Sequence, residues 1–175
     1  MNTRKISDKI TTRERLEEKV FQWRTQGKIV GFTSGSFDIL HAGHVDYLEK
    51  AKEKCDILIV GVNSDESIRG YKCQKRSILA EELSRVTRVA GLESVDYVFV
   101  FNELRNRNNL DILKPDYYYI EAGDCEIDQL TSKDVAEKYG EEVIIIPAEK
   151  KISTSEIINK ILEFHRDEKI EIEVK

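Results

Sequence analysis

This sequence lacks the features that would indicate a membrane protein or a secreted protein held by disulfide bonds. No apolar run approaches the roughly 20 residues of a membrane-spanning helix, and Met1 to Thr12 lacks the apolar core of a signal peptide. Cys55, Cys73 and Cys125 show no framework spacing, which fits reduced thiols. We therefore expect a cytoplasmic protein with no membrane partner.

A basic surplus is also missing. The chain has 28 Lys and Arg against 33 Asp and Glu, a net charge of −5, whereas binding to a nucleic-acid backbone normally needs a basic surface. We expect no nucleic-acid partner. A length of 175 residues suits one domain with a sizeable core.

We assign residues 1–164 to this single domain, with 1–27 as a helical lead-in. The remaining tail, 165–175, alternates strictly from Ile170 to Lys175. Such a segment can pair as an edge strand, on its own sheet or on that of another subunit, and we expect a homodimer.

Apolar runs alternate with helical patterns along the chain. Five runs predict strands, at 29–33, 56–62, 95–101, 117–120 and 143–146. The first helical pattern follows a capping box at Thr11 to Glu14, and the last follows one at Ser153 to Glu156. Strands that alternate with helices and read as nearly continuous apolar runs are typical of parallel sheets. The sequence predicts an α/β fold with a Rossmann-like, doubly wound, five-stranded parallel sheet.

The stretch from Gly35 to His44 lies where the first predicted strand becomes a helix. His41 and His44 are three residues apart and share one face of the helix start, where free backbone N–H groups attract anions. Gly43 leaves room for a phosphate, and Gly35 with Ser36 allows the turn to wrap around it. We interpret the stretch as a phosphate site with two imidazoles.

Two plainer interpretations apply here. A single histidine at a helix start is more often a structural group than a functional one. A zinc site would also use histidine, but His165 and the cysteines show no ligand spacing. Elsewhere, Asn63 and Asp65 follow the second strand, where ligands gather in parallel sheets, and a plain helix cap is equally consistent with them.

The motifs resemble those of a known family. Gly35-Ser36-Phe37-Asp38-Ile39-Leu40-His41-Ala42-Gly43-His44 resembles the HxGH signature of the nucleotidylyltransferase (cytidylyltransferase-like) superfamily, and Ile152-Ser153-Thr154-Ser155 resembles its second motif. From about Gln22 to Ile161 the pattern is similar in particular to the adenylyltransferase domain of ADP-heptose synthases.

The resemblance implies which residues act. Lys72 and Arg76 fall on the lysine and arginine of a family Lys-Gly-x-x-Arg-Pro-Ile segment, and Arg85 matches a further family arginine. The implied catalytic residues are His41, His44, Lys72 and Arg76. The implied nucleotide-binding residues are Ser34, Gly35, Ser36, Phe37, Asp38, Gly43, Asn63, Asp65, Ser153, Thr154 and Ser155.

The chain departs from this family at a few positions. Cys73 and Ser77 replace a glycine and a proline, and Ser84 replaces an acidic residue. The family usually has Lys-Gly-Gly-Asp after the fourth strand, whereas this chain has Ile120-Glu121-Ala122-Gly123-Asp124 and lacks the lysine. Because HxGH, Lys72, Arg76 and the Ser-Thr-Ser helix start are kept while the departures are limited to one part of the site, we hypothesise that the acceptor differs from heptose phosphate.

The resemblance implies transfer of a nucleotidyl group from ATP, or less readily CTP, to a sugar phosphate, with Mg²⁺ carried by the triphosphate and no metal-ligating residue in the chain. A CTP-dependent enzyme for glycerol or another polyol phosphate is a second hypothesis. That family has a lysine and an arginine where this chain has Asp46 and Ala148. A nucleotide-binding regulator without turnover and an unrelated metal-binding α/β domain are the third and fourth hypotheses.

Overall fold

The computed structural model describes residues 5–71, 80–121, 142–147 and 153–168. Within these ranges the chain forms five strands, β1 (Val30–Gly35), β2 (Ile57–Asn63), β3 (Tyr97–Phe101), β4 (Tyr117–Glu121) and β5 (Glu142–Ile146). Seven helices accompany them, α1 (Ile6–Lys9), α2 (Arg13–Thr25), α3 (Ala42–Lys52), α4 (Asp65–Tyr71), α5 (Glu82–Ala90), α6 (Arg107–Leu113) and α7 (Thr154–Glu168). No described helix is long and apolar enough to cross a membrane.

The five strands form one parallel sheet in the order β3-β2-β1-β4-β5. The chain builds outward from β1 to β3 on one side and then returns to add β4 and β5 on the other. The direction reverses between β1 and β4, and ligands in open α/β sheets bind at such a switch point, outside the carboxyl ends of the strands. The predicted Rossmann-like, doubly wound sheet is confirmed.

Each face of the sheet carries its own apolar layer. On one face, α3 and α5 pack Leu48, Ala51, Val86 and Val89 against alternate residues of the strands. On the other, α2 and α6 supply Leu16, Val20, Leu110 and Leu113. Because successive strand residues point to opposite faces, Phe32 of β1 belongs to the α2–α6 layer, while Thr33 bonds Tyr47 of α3.

The amino ends of the strands are closed by aspartates that come just before a strand. A carboxylate oxygen of Asp96 accepts from the backbone N–H of Leu58 (2.7 Å), and one of Asp116 accepts from that of Val30 (2.8 Å). These bonds satisfy strand-end donors that have no partner in the sheet. The opposite, carboxyl edge carries the predicted site residues.

Three element boundaries differ from the sequence prediction. The cap of α2 is Thr12, whose hydroxyl accepts from the N–H of Arg15, rather than Thr11. Helix α3 begins at Ala42, so His41 is its cap and does not lie in its first turn. Helix α7 continues to Glu168 and so extends into the predicted tail, 165–175; residues 169–175, with the predicted edge strand, lie outside the described ranges.

Candidate active site

The two histidines stack at the start of α3. Their ring centroids are 3.8 Å apart, with 23° between the ring planes. His41 is the N-cap in an extended conformation, and Nδ1 of His44 accepts from the backbone N–H of His41 at 3.4 Å. The ring of Phe37 packs against His44 at 5.3 Å between centroids. The predicted common face of the two imidazoles is therefore present.

Burial holds both imidazoles neutral. Desolvation, with a smaller contribution from the neighbouring His41, lowers the pKa of His44 to about 4. Desolvation also lowers the pKa of His41. Since Nδ1 of neutral His44 is an acceptor, its proton is on Nε2, which leaves that N–H as a donor.

The ring of His41 provides no hydrogen-bonded cap to α3. Its Nδ1 is buried and has no hydrogen-bond partner among the described residues. A buried imidazole nitrogen without a partner costs free energy. The imidazole of His41 therefore makes no hydrogen bond to the first N–H groups of α3. A helix start without a side-chain cap is suited to binding an anion.

The loop between β1 and α3 is held by α5. Arg85 donates from Nη1 to the carbonyl of Ser36 (2.6 Å), and Arg88 donates from Nη2 to the carbonyl of Asp38 (3.0 Å). The carboxylate of Asp38 accepts from the N–H of Ala80 (3.0 Å). Between these anchors Phe37 adopts φ 46°, the left-handed region that favours glycine. The anchors fix a strained turn, which the sequence analysis assigned to Gly35 and Ser36.

Arg85 also connects this loop to the end of β2. Its side chain is completely buried, and Nη2 donates to Oδ1 of Asp65 at 2.7 Å. A buried guanidinium without such partners would be very costly. The predicted role of Asp65 in binding nucleotide stays a prediction, because this carboxylate is already held by Arg85. Asn63 lies beside it and donates to the hydroxyl of Ser67 (3.1 Å).

Sequence reasoning missed a group of buried amides behind Ser34. Asn106 donates from Nδ2 to the hydroxyls of Ser34 (2.5 Å) and Tyr118 (3.0 Å). Asn106, Asn109, Leu110 and Leu113 follow the spacing i, i+3, i+4, i+7, and all four are buried. Two asparagines on the apolar face of a helix were the signal that could have identified this group.

The start of α7 lies close to His41. The carboxylate of Glu156 acts on His41 and opposes the lowering of its pKa. Glu156 Oε2 accepts from the N–H of Ser153 (2.7 Å), and Ser153 Oγ accepts from the N–H of Glu156 (3.2 Å). This is the predicted capping box. The helix starts of both sequence motifs are therefore within electrostatic range of each other.

Two predicted catalytic residues, Lys72 and Arg76, lie outside the described ranges, so their role stays a prediction. Among the residues that are described, no group of three or more His, Cys, Asp or Glu could hold a metal ion. Mg²⁺ stays a prediction that rests on the triphosphate.

Comparison with known proteins identifies the family. The model of the cytidylyltransferase-like family matches residues 32–160, from β1 into α7. The chain belongs to this family. It is a nucleotidyltransferase. Both motifs of the resemblance are present, the HxGH helix start after a strand and the distant Ser-Thr-Ser helix start.

Among curated proteins, the nucleotidyltransferase is similar to several called bifunctional protein HldE. The one from Trichlorobacter lovleyi is 41% identical over 94% of this chain and 33% of its own length. The one from Helicobacter pylori is 42% identical over 86% of this chain and 31% of its own length. The chain thus spans about a third of the length of these relatives.

Solved structures agree with the fold. The lipopolysaccharide core biosynthesis protein from Thermoplasma volcanium GSS1 is 28% identical, with a TM-score of 0.60, over 72% of this nucleotidyltransferase and 100% of that chain. Pantoate-beta-alanine ligase from Francisella tularensis shares the fold, with 17% identity and a TM-score of 0.58, over 90% of this chain and 78% of that one.

Proposed function

We propose that this nucleotidyltransferase transfers an adenylyl group from ATP to a sugar phosphate, heptose 1-phosphate being the first acceptor to test. The observation that carries the proposal is the stacked pair of neutral histidines at the uncapped start of α3, close to the start of α7. The similarity to the HldE proteins supports the choice of acceptor.

The reaction forms one bond and breaks one. An oxygen of the acceptor phosphate attacks the α-phosphorus, the bond to the bridging oxygen of the β-phosphate breaks, and its electron pair leaves with pyrophosphate. The attacking oxygen already carries negative charge at neutral pH, so no side chain has to remove a proton. The protein must align the two phosphates and stabilise charge on the α-phosphate oxygens.

The histidines suit that task because they are neutral and fixed. The Nε2–H of His44 donates without carrying a charge that would bind substrate and transition state equally. Its ring is held by His41 on one side and Phe37 on the other, so little reorganisation is needed as charge develops. Ser153, Thr154 and Ser155, with the predicted Lys72 and Arg76, would face the departing pyrophosphate.

Two observations bear on the identity of the acceptor, and they favour different answers. At 41% identity, similarity to HldE from Geobacter sulfurreducens favours heptose 1-phosphate. Glu121, at the carboxyl end of β4, is acidic near the place where the family usually has a lysine, which favours an acceptor whose phosphate is bound differently. A lost charged hydrogen bond costs about 1.5–3 kcal/mol, a factor of roughly ten to a hundred in affinity. A homodimer and Mg²⁺ complete the proposal.

A screen of pyrophosphate release tests the proposal. Four nucleoside triphosphates are combined with sugar phosphates and polyol phosphates, glycerol 3-phosphate included. We expect ATP to be the preferred donor and a sugar phosphate the preferred acceptor. Preference for CTP with a polyol phosphate would replace the proposal with the polyol-phosphate enzyme, and triphosphate binding without release on any acceptor would indicate a regulator. Turnover of heptose 1-phosphate well above all other acceptors would refute a changed acceptor.

A further inference from the structure

A chain of side-chain hydrogen bonds runs from α2 through α6 to β1. Arg13 donates from Nη1 to Oδ1 of Asn109 (2.9 Å), and Asn109 donates from Nδ2 to Oδ1 of Asn106 (3.1 Å). Asn106 then donates from Nδ2 to Oγ of Ser34 (2.5 Å). Asn109 is completely buried and Asn106 is 8% exposed, so water does not compete for these bonds.

The direction of this chain is fixed at Arg13. A guanidinium group has donors but no acceptor, so the side-chain oxygen of Asn109 must face it. The amide nitrogen of Asn109 then faces Asn106, which turns the oxygen of Asn106 toward Asn109. Consequently the amide nitrogen of Asn106 faces β1. The orientation of both amides follows from the charge of one residue in α2.

Ser34 is therefore an acceptor toward the protein. The two N–H groups of Asn106 are used by Ser34 and by Tyr118, and its oxygen is used by Asn109. Asn106 cannot also accept the hydroxyl hydrogen of Ser34. In the part of the chain that the structure describes, Ser34 makes no other side-chain hydrogen bond. Accepting one bond also strengthens a hydroxyl as a donor of the next.

Ser34 lies at the carboxyl end of β1, where the fold places its ligand-binding edge. Ser34 is half-buried and is the last residue but one of β1, so only Gly35 separates it from the loop that leads to His41. β1 and β4 meet at the switch point of the sheet, and Tyr118 contributes from the β4 side. A hydroxyl at this place whose hydrogen is left to donate suits a group without hydrogens, such as a phosphate oxygen.

We propose that Ser34 donates its hydroxyl hydrogen to a phosphate oxygen of a bound substrate, and that Arg13, Asn106 and Asn109 are positioning residues that enforce this polarity. The identity of the substrate rests on the proposed function; the polarity does not. The phosphate could belong to the nucleoside triphosphate or to the acceptor. Separate KM values for the two substrates distinguish these sources.

The test reverses the polarity with nearly isosteric changes. In Asn109→Asp, the carboxylate keeps the bond to Arg13 but cannot donate to Asn106, whose amide then turns over and takes the hydrogen of Ser34. Asn106→Asp reverses Ser34 by a second route if the first variant does not fold. We expect either variant, and Ser34→Ala, to lower kcat/KM by about ten-fold, the scale of one hydrogen bond to a charged group.

The combination of variants separates polarity from general damage. Because Ser34→Ala already removes the donor, adding Asn109→Asp should lower kcat/KM no further. Arg13→Lys keeps a donor-only group and should retain the wild-type KM values. Asn159→Asp is the matched control, since it makes the same chemical change at an exposed position of α7. Multiplicative losses in the double variant, or full activity of Asn109→Asp, would overturn the proposal.

A spectroscopic measurement keeps the polarity testable even if the reaction is not the one proposed. In protein labelled with ¹⁵N-asparagine, the side-chain NH₂ of Asn106 should show cross-relaxation with Ser34 and Tyr118, and these signals should be lost in Asn109→Asp. Wild-type signals between that NH₂ and Asn109 instead would refute the polarity. Correct signals in a protein that releases no pyrophosphate would refute the proposed function alone.

Discussion

Two helix starts meet at the candidate site, and they are built in opposite ways. At α7, Ser153 and Glu156 bond each other's backbone N–H in a closed capping box. At α3, His44 reaches back to the N–H of His41 in the same manner, but the ring of His41 returns no bond. At α3 the N–H of His44 donates instead to the carbonyl of His41 (3.0 Å), and the buried Nδ1 of His41 has no partner among the described residues. A ligand that bonds to this nitrogen gains most at the second start.

This difference explains why the two starts should respond differently to mutation. At α3 the polar groups lie beside an unpartnered, buried nitrogen, so their removal should affect ligand binding and chemistry more than folding. At α7 the same positions hold the helix together. Substitutions at the two starts test this division, from the largest expected effect to the smallest.

The largest effect concerns the imidazoles. His41→Ala and His44→Ala should each lower kcat by roughly two to four orders of magnitude, since each removes a preorganised donor from the transition state. Turnover is measured by pyrophosphate release with the preferred substrates. His165→Ala is the control, because His165 is exposed in α7. Near-normal kcat in both active-site variants, with an intact fold, would remove the α3 start from the mechanism.

The next effect is a loss of stability in acid. The pKa of His44 is about 4 in the folded protein and about 6.5 when unfolded, so the unfolded chain binds the extra proton between these values. The contribution is complete above pH 6.5 and is lost as pH falls to 4. Because the side chain of His44 is partly exposed, solvent screening reduces its contribution to the free energy of unfolding to about 2 kcal/mol.

Urea unfolding of wild type and His44→Gln between pH 4 and 7 measures this contribution. Glutamine can still accept from the N–H of His41 but does not titrate, so the stability of the variant relative to wild type should improve as pH falls. His165→Gln, at an exposed position of α7, is the matched control. A constant difference across the range would mean that His44 is not desolvated, and the contrast with the start of α7 would weaken.

The sequence allowed much of this to be predicted. Near-continuous apolar runs such as Leu58 to Val62 determine strands covered on both faces, and alternation with helices determines a parallel sheet. The HxGH stretch and the Ser153 capping box are local patterns, so their positions were readable without a fold. The doubly wound arrangement was also implied by the resemblance, whereas the strand order β3-β2-β1-β4-β5 was not predicted.

Long-range partners could not be read in this way. Arg85 was recognised only as a match to a family arginine, and the sequence did not show that it is completely buried, with Ser36 and Asp65 of two other segments as its partners. Asn106 and Asn109 occupy apolar-face positions that the pattern assigns to leucine-like residues. A buried polar group is stable only with its partners, and those partners are 72 and 96 residues away, in Ser34 and Arg13.

The third effect is specific to α7. Ser153→Ala should destabilise the helix by about 1 kcal/mol, because it removes the cap that accepts from Glu156 N–H. Thr154→Ala should leave stability nearly unchanged and weaken triphosphate binding. Urea unfolding and amide exchange in the first turn of α7 measure the first, and titration with a non-hydrolysable triphosphate the second. Equal melting temperatures would show that Ser153 is not the cap.

The smallest effect is the sharpest test of the comparison, because it turns one helix start into the other. His41 has the extended backbone of an N-cap, φ −135° and ψ 170°, which a serine cap also adopts. His41→Ser should therefore be more stable than His41→Ala by about 0.5–1 kcal/mol, since its hydroxyl can accept from the N–H of Gly43. Both variants should be equally inactive, because the new cap occupies a donor that a phosphate would need and supplies no imidazole.

If His41→Ser regained turnover within about ten-fold of wild type, the ring would serve only to shape the helix start. If the two variants had equal stability, the start of α3 would already be satisfied, and the difference between the two helix starts would not explain the site.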